Sequence, residues 1–191
     1  MSYRTYKPKP SFAAILLTVA LWACHAEENI SHDYLCRFAF TYGLHPTSKI
    51  VTAVNNPGYF VWISMSRING IQHVYVHPAD GTAEEDIPLT TEPENMISYE
   101  LGAYNGIILG CSNFGGPVAF DRQCPNCLKQ YGTMGFPLTW VDKRPLYVEC
   151  KKCGRTYSLE TGALEEKSSS SELGLMRYIA SINAKQIIVR N

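Results

Sequence analysis

Apolar and polar residues alternate in short bursts along most of this chain, and helical periodicity is scarce. Tyr34, Phe38, Phe40 and Tyr42 recur at even spacing, the period of a strand with one buried face. Asn55-Asn56-Pro57-Gly58 is a turn signal, and the aromatic and β-branched run at 59–65 follows it. Arg67-Ile68-Asn69-Gly70 reads as a hairpin turn into a second β-rich run at 71–76, which His77-Pro78-Ala79-Asp80-Gly81 ends. Residues 82–96 are acidic and contain proline, so a surface loop is expected there. Residues 106–110 form a short apolar run between glycines, the pattern of a buried strand, and residues 118–121 make another. Further strands are expected at 145–149, 155–159, 175–180 and 187–189, with Thr161-Gly162 and residues 183–186 as turns and 168–171 as a flexible loop. No window beyond the N-terminal segment sustains an i, i+3, i+4, i+7 apolar stripe. The expected fold class is therefore all-β, a sandwich or barrel carrying a small metal-bound lobe over about residues 121–162.

The first thirty residues have a different pattern. Arg4, Lys7 and Lys9 precede an uncharged apolar run at 12–23, a positive region followed by a hydrophobic one. That run is too short to cross a bilayer core of about 30 Å as a helix. It ends in Leu21-Trp22-Ala23-Cys24, which resembles the lipobox of bacterial lipoproteins, where the cysteine becomes the lipidated first residue. The resemblance implies a signal peptide at 1–23, acyl chains on Cys24, a polar tether and arm at 24–49 and a main domain at 50–191. Acyl chains contribute about 0.8 kcal/mol per buried methylene, so several together anchor a protein without any spanning helix. An ordinary cleaved signal peptide with a chance cysteine is the competing reading. His25-Ala26-Glu27-Glu28 is similar to the acid-rich tether of surface-exposed lipoproteins, though a solvated acidic linker looks the same. The expected location is the outer membrane, facing the periplasm or the cell surface. The lipid would be the membrane contact, and an envelope protein the candidate partner.

Composition narrows the classes. Seventeen basic residues balance seventeen acidic ones, and no basic block or stripe occurs, so nothing directs the chain to nucleic acid. With 46% apolar and 18% charged residues the polypeptide is globular rather than disordered. Removing residues 1–23 from 191 leaves 168, enough for one domain with a sizeable core.

The sharpest chemical signal is a pair of knuckles, Cys124-Pro-Asn-Cys127 and Cys150-Lys-Lys-Cys153-Gly154, separated by 22 residues. Each Cys-x-x-Cys turn points its two sulfurs the same way, so four thiolates can converge on one metal. Zn2+ at roughly 2.3 Å from each sulfur is the default occupant.

The order around these knuckles is residues 119–125, an intervening hairpin, then Cys150-x-x-Cys153-Gly154 and Thr156-Tyr157-Ser158-Leu159-x-Thr161-Gly162. Leu175-x-x-Tyr178 and Ile187-Ile188-Val189 follow. This order resembles the Rieske domain, in which Cys-x-His and Cys-x-x-His loops hold a [2Fe–2S] cluster on a β-sandwich. The resemblance covers about residues 50–191 and implies a Rieske-like fold with a zinc-ribbon or rubredoxin-like lobe. The histidines are missing, however. Asn126 stands where the first loop's histidine would be, Cys153 replaces the second, and all five histidines lie at or before His77. Two imidazoles on one iron are what raise a Rieske potential, so an all-thiolate [2Fe–2S] site would be a low-potential carrier. A single zinc or a rubredoxin-like iron suits four sulfurs equally.

Other readings compete. The four cysteines can form disulfides, with cross-pairing between the knuckles less strained than bonding within each. Cys124-Pro-Asn-Cys127 can be a thiol–disulfide exchange motif, but that chemistry wants a helix N-terminus, and residues 128–135, with Gly132 and Gly135, make a poor helix. A decayed loop binding no metal is the third. His73 and His77 share a face of one expected strand and are read as structural. Cys36 and Cys111 either pair or stay as small buried hydrophobes. Tyr59, Trp62, Tyr75, Trp140 and Tyr147 suit a β core and equally a ligand face. Gly115-Gly116-Pro117 has no following helix and reads as a turn. No Ser-His-acid order or paired-carboxylate motif stands out, so the expectation is a protein that is not an enzyme.

Overall fold

The computed structural model describes residues 30–166 and 169–191. The expected signal peptide, the lipidated Cys24, the tether up to residue 29 and Ser168 of the expected loop lie outside the described residues. The chain is mostly β, built around a large antiparallel sheet. Its strands are β1 (Cys36–Phe40), β2 (Phe60–Ile68), β3 (Ile71–Pro78), β4 (Glu85–Leu89), β5 (Glu100–Leu101), β6 (Gly106–Ser112), β7 (Gly116–Asp121), β11 (Arg177–Ile182) and β12 (Ile187–Arg190), in the order β4-β3-β2-β6-β7-β11-β12-β1-β5. Three more, β8 (Leu138–Val141), β9 (Arg144–Cys150) and β10 (Thr156–Ser158), form a separate small sheet ordered β10-β9-β8. Helices are α1 (Lys49–Asn55), α2 (Glu92–Asn95) and α3 (Pro125–Tyr131). No described helix is long and apolar enough to cross a membrane.

Period-two alternation sends alternate residues of the central strands to two different cores. Inward, Val61, Ile63 and Met65 of β2 join Val74 and Val76 of β3, Ile107 and Leu109 of β6 and Ala119 of β7. The same cluster takes Phe38 and Phe40 of β1, Ile187 and Val189 of β12 and Tyr178 of β11, so both ends of the long sheet share one interior. Ile50, Ala53 and Val54 of α1 pack into it. Outward, Phe60, Ile108, Val118 and Phe120 meet Leu138, Val148, Cys150, Tyr157 and Leu159 of the small lobe. Gly110 makes this second core possible, because a Cβ there would stand 2.3 Å from the Phe60 ring.

The hairpin turn at Asn69-Gly70 forms as expected, with φ of +49° and +85° at its two central residues. Residues 82–96 are not one open loop, as expected, but contain β4 and α2. Ile87 pairs with Val74 and Leu89 with Gln72, and Leu89 is buried. Pro88 is tolerated because β4 is an edge strand. Helices are also commoner than the apolar pattern indicates. Ser48 caps α1, its Oγ accepting from the Ile50 N–H at 3.1 Å, and Glu85 accepts from the Ser48 hydroxyl and the Lys49 N–H. The segment read as an arm supplies β1, paired to β12 and β5 in the main sheet.

Candidate metal centre

Strand β7 carries the chain to the first knuckle, and the backbone fixes the cysteines there. The Cys124 N–H donates to the Phe136 carbonyl at 2.9 Å, and Leu138 donates to the Arg122 carbonyl at 2.7 Å. The buried Gln123 side chain closes the loop, its Oε1 accepting from Gly135 and Phe136 at 3.0 and 3.1 Å. Cys124 is the N-cap of α3, Pro125 starts the helix with a preset φ, and Gly132 ends it at φ +65°. The expectation of a poor helix over residues 128–135 is therefore corrected: Gly132 is the stop signal just past the last helical residue, not a breaker inside it.

The second knuckle is the tip of the β9–β10 hairpin. The Cys150 N–H donates to the Arg155 carbonyl at 2.9 Å, and the Gly154 N–H donates to the Cys150 carbonyl at 2.8 Å. Gly154 sits at φ +70°, which a side chain would resist.

These two turns bring all four sulfurs of Cys124, Cys127, Cys150 and Cys153 within 4.8 Å of one another. The Cys124 and Cys153 sulfurs are 3.8 Å apart, and those of Cys127 and Cys150 are 3.6 Å apart. A tetrahedral ion with metal–sulfur bonds of roughly 2.3 Å has sulfur–sulfur edges of about 3.8 Å. The four-cysteine group can thus hold a metal ion. Cys124, Cys127 and Cys150 are fully buried, while Cys153 is only partly covered.

The surroundings hold the sulfurs in place. The Tyr157 hydroxyl lies 3.3 Å from the Cys124 sulfur and accepts from Asn126 Nδ2 at 2.9 Å. Asn126 also brackets Leu173, donating to its carbonyl at 2.8 Å and accepting its N–H at 3.0 Å. Arg155 reaches Cys153 with its backbone N–H and its guanidinium, and the guanidinium also donates to Glu172 at 2.8 and 3.0 Å. Burial raises the Cys124 thiol to about 11, against the Tyr157 hydroxyl and the Cys127 N–H, which lower it. Burial, then contact with Cys150 and Cys153, raises Cys127 as well. Burial also opposes ionisation of Cys153, yet the Arg155 N–H and guanidinium bring it down to about 7. Cys124 does sit at a helix N-terminus, but its raised thiol makes it a poor first attacker of an outside disulfide.

No family model, curated protein or solved structure matches this chain. Its chemistry is therefore read from the residues themselves.

The remaining candidates fall elsewhere. Cys36 and Cys111 are both free thiols. His73 lies 2.7 Å from Asp86, and His77 is 2.5 Å from Glu84 while stacking on Trp62 at 3.3 Å between ring centroids. The Arg122 guanidinium covers Trp62 at 3.6 Å from the ring centre. Sequence reasoning gave no role to Gln123, Arg155, Tyr157 or Glu172, and for Asn126 it noted only a missing histidine. Their long-range partners lie 12 to 47 residues away, beyond the reach of local pattern.

Proposed function

We propose that the four-cysteine lobe holds one structural zinc ion, on a lipid-anchored envelope protein whose main domain is Rieske-like and offers its surface to a partner. One observation carries the metal reading: four sulfurs, three of them fully buried, gathered within 4.8 Å. A two-iron cluster divides its four thiolates between two ions with sulfides between them, which spreads the outer sulfurs further apart than this. Mutual contacts of 3.6 and 3.8 Å suit a single ion. Four thiolates close the coordination shell and leave no position for substrate, so the ion ties the two loops together rather than doing catalysis.

The Rieske-like reading draws support from chain order. One knuckle lies between β7 and β8, the other between β9 and β10, and the chain then returns beside β7 as β11. Lipid anchoring rests on Leu21-Trp22-Ala23-Cys24 and the charged-then-apolar segment before it.

Metal analysis of anaerobically purified protein tests the centre. Colourless protein with one equivalent of zinc is expected. Brown protein with visible absorbance and labile sulfide overturns the zinc reading in favour of an iron–sulfur electron carrier. Metal-free protein that keeps its fold after Cys124→Ser and Cys150→Ser points to a plain interaction subunit. Cys24→Ala is expected to move the protein out of the membrane fraction, and continued membrane association after that change rules out the lipid anchor.

A further inference from the structure

Two features of the centre are not used by a purely structural ion. The first is its uneven cover. Three of the four cysteines are sealed, whereas Cys153 forms part of the wall of an open cavity of about 450 Å³. Gly154, Arg155, Thr156 and the carboxylates of Glu165, Glu166 and Glu172 form the rest of that wall. The second is the pairing of the sulfurs. The contacts of 3.8 Å (Cys124 to Cys153) and 3.6 Å (Cys127 to Cys150) both run between the knuckles.

We infer that the centre is also a thiol–disulfide switch, which small-molecule disulfides enter through Cys153 and which closes as two crossed bridges, Cys124–Cys153 and Cys127–Cys150. The inference rests on the metal reading for its ion-release step and on sulfur geometry alone for its bridges. In the first step the Cys153 thiolate attacks one sulfur of the incoming disulfide, whose S–S bond breaks and releases one small thiolate. The Cys124 sulfur then attacks Cys153 in the mixed disulfide and expels the second small thiolate. Two electrons pass from the protein to the oxidant, which leaves as two thiols. Cys127 and Cys150 alone cannot hold the ion in a closed site, so it is lost to solvent. Release of the ion opens the lobe, so Cys127 or Cys150 attacks a second oxidant molecule and its partner resolves that mixed disulfide, again releasing two small thiols.

Access decides the order. Thiol–disulfide exchange needs the attacking sulfur to reach the disulfide, and of these four cysteines Cys153 is the one that is not fully buried and lines that cavity. Geometry favours the product, because the contacts of 3.8 Å (Cys124 to Cys153) and 3.6 Å (Cys127 to Cys150) already join one loop to the other. The bridges join the same two loops that the ion joins, so either staple restrains the lobe.

The test uses zinc-loaded, reduced full-length protein and bis(2-hydroxyethyl) disulfide. Zinc release is followed with a chromophoric indicator, and disulfides are mapped after acid quenching. Release of one zinc is expected with the loss of two protein thiols, the appearance of two mercaptoethanol molecules and a first bridge at Cys124–Cys153. In parallel, limiting N-ethylmaleimide is expected to label Cys153 at least tenfold faster than Cys124, Cys127 or Cys150. A first bridge within either knuckle, or faster labelling of a sealed cysteine, overturns the switch. Should the reduced protein take up no zinc, the metal reading fails on its own. Mapping the bridges in that metal-free protein still decides the switch, since crossed pairs support it and any other pairing refutes it.

Discussion

At the scale of single residues the four-cysteine cluster is held by polar groups outside it. Asn126 is 7% exposed and makes three hydrogen bonds, one to Tyr157 and two to Leu173. Truncation to alanine removes all three bonds, but Leu173 is 41% exposed and water can replace the amide there, so a cost of about 1–2 kcal/mol is expected. Tyr157→Phe removes one hydroxyl and leaves Asn126 its two Leu173 bonds, so about 1 kcal/mol is expected. Urea unfolding of both zinc-loaded variants measures the difference. A Tyr157→Phe cost equal to that of Asn126→Ala would show that the hydroxyl at Cys124, rather than the amide clamp on Leu173, holds the lobe. The four cysteines were legible because their spacing encodes their geometry. Asn126 was legible only as a missing histidine, because its partners lie 31 and 47 residues along the chain.

At the scale of elements, the strands were readable and the helices were not. Strands β2, β3 and β6 announce themselves through apolar runs bounded by glycine, asparagine and proline. Helices α1 and α3 have seven residues each, about two turns, too short for a 3.6-residue period to repeat. Their signals are at the ends: Ser48 before α1, Pro125 and Gly132 around α3. Strand β4 was hidden by its acidic residues, one of which, Glu85, is the partner that fixes the start of α1. Ser48→Ala removes both the cap to Ile50 and the bond to Glu85, so a loss of about 1–2 kcal/mol is expected. The urea midpoint should fall while zinc stoichiometry stays at that of the wild type, because α1 packs in the main core and not in the metal lobe. A fall in zinc content with this substitution would show that the two cores do not act independently.

At the scale of the whole molecule, two cores share one set of strands, and the four cysteines that would hold the proposed ion border only one of them. Phe60, Ile108 and Phe120 face the lobe, while Val61, Ile107, Leu109 and Ala119 face the main interior. Loss of that ion is therefore expected to loosen one side of β2, β6 and β7 and to leave the other packed. Proton concentration controls that loss, and its direction follows from the thiols. Metal binding needs thiolates, so protons and metal compete for the same sulfurs. Cys124, raised to about 11 by burial, and Cys127, also raised by burial, hold their protons at neutral pH and must release them to the ion. Cys153, brought down to about 7 by Arg155 against its burial, is already half ionised there. Zinc affinity should therefore rise with pH across the neutral range, and more steeply below about pH 7, where Cys153 must also give up a proton. In the metal-free protein the two shifts act oppositely. The stabilising contribution of Cys153 is present above its ordinary value of 9.0 and lost as pH falls through about 7. That of Cys124 is present below 9.0 and lost as pH rises through about 11. Competition with a chelator of known pH dependence, read between about pH 6 and about pH 9, measures the affinity directly. Affinity that does not change with pH over this range would mean that the ion is not held by these thiols.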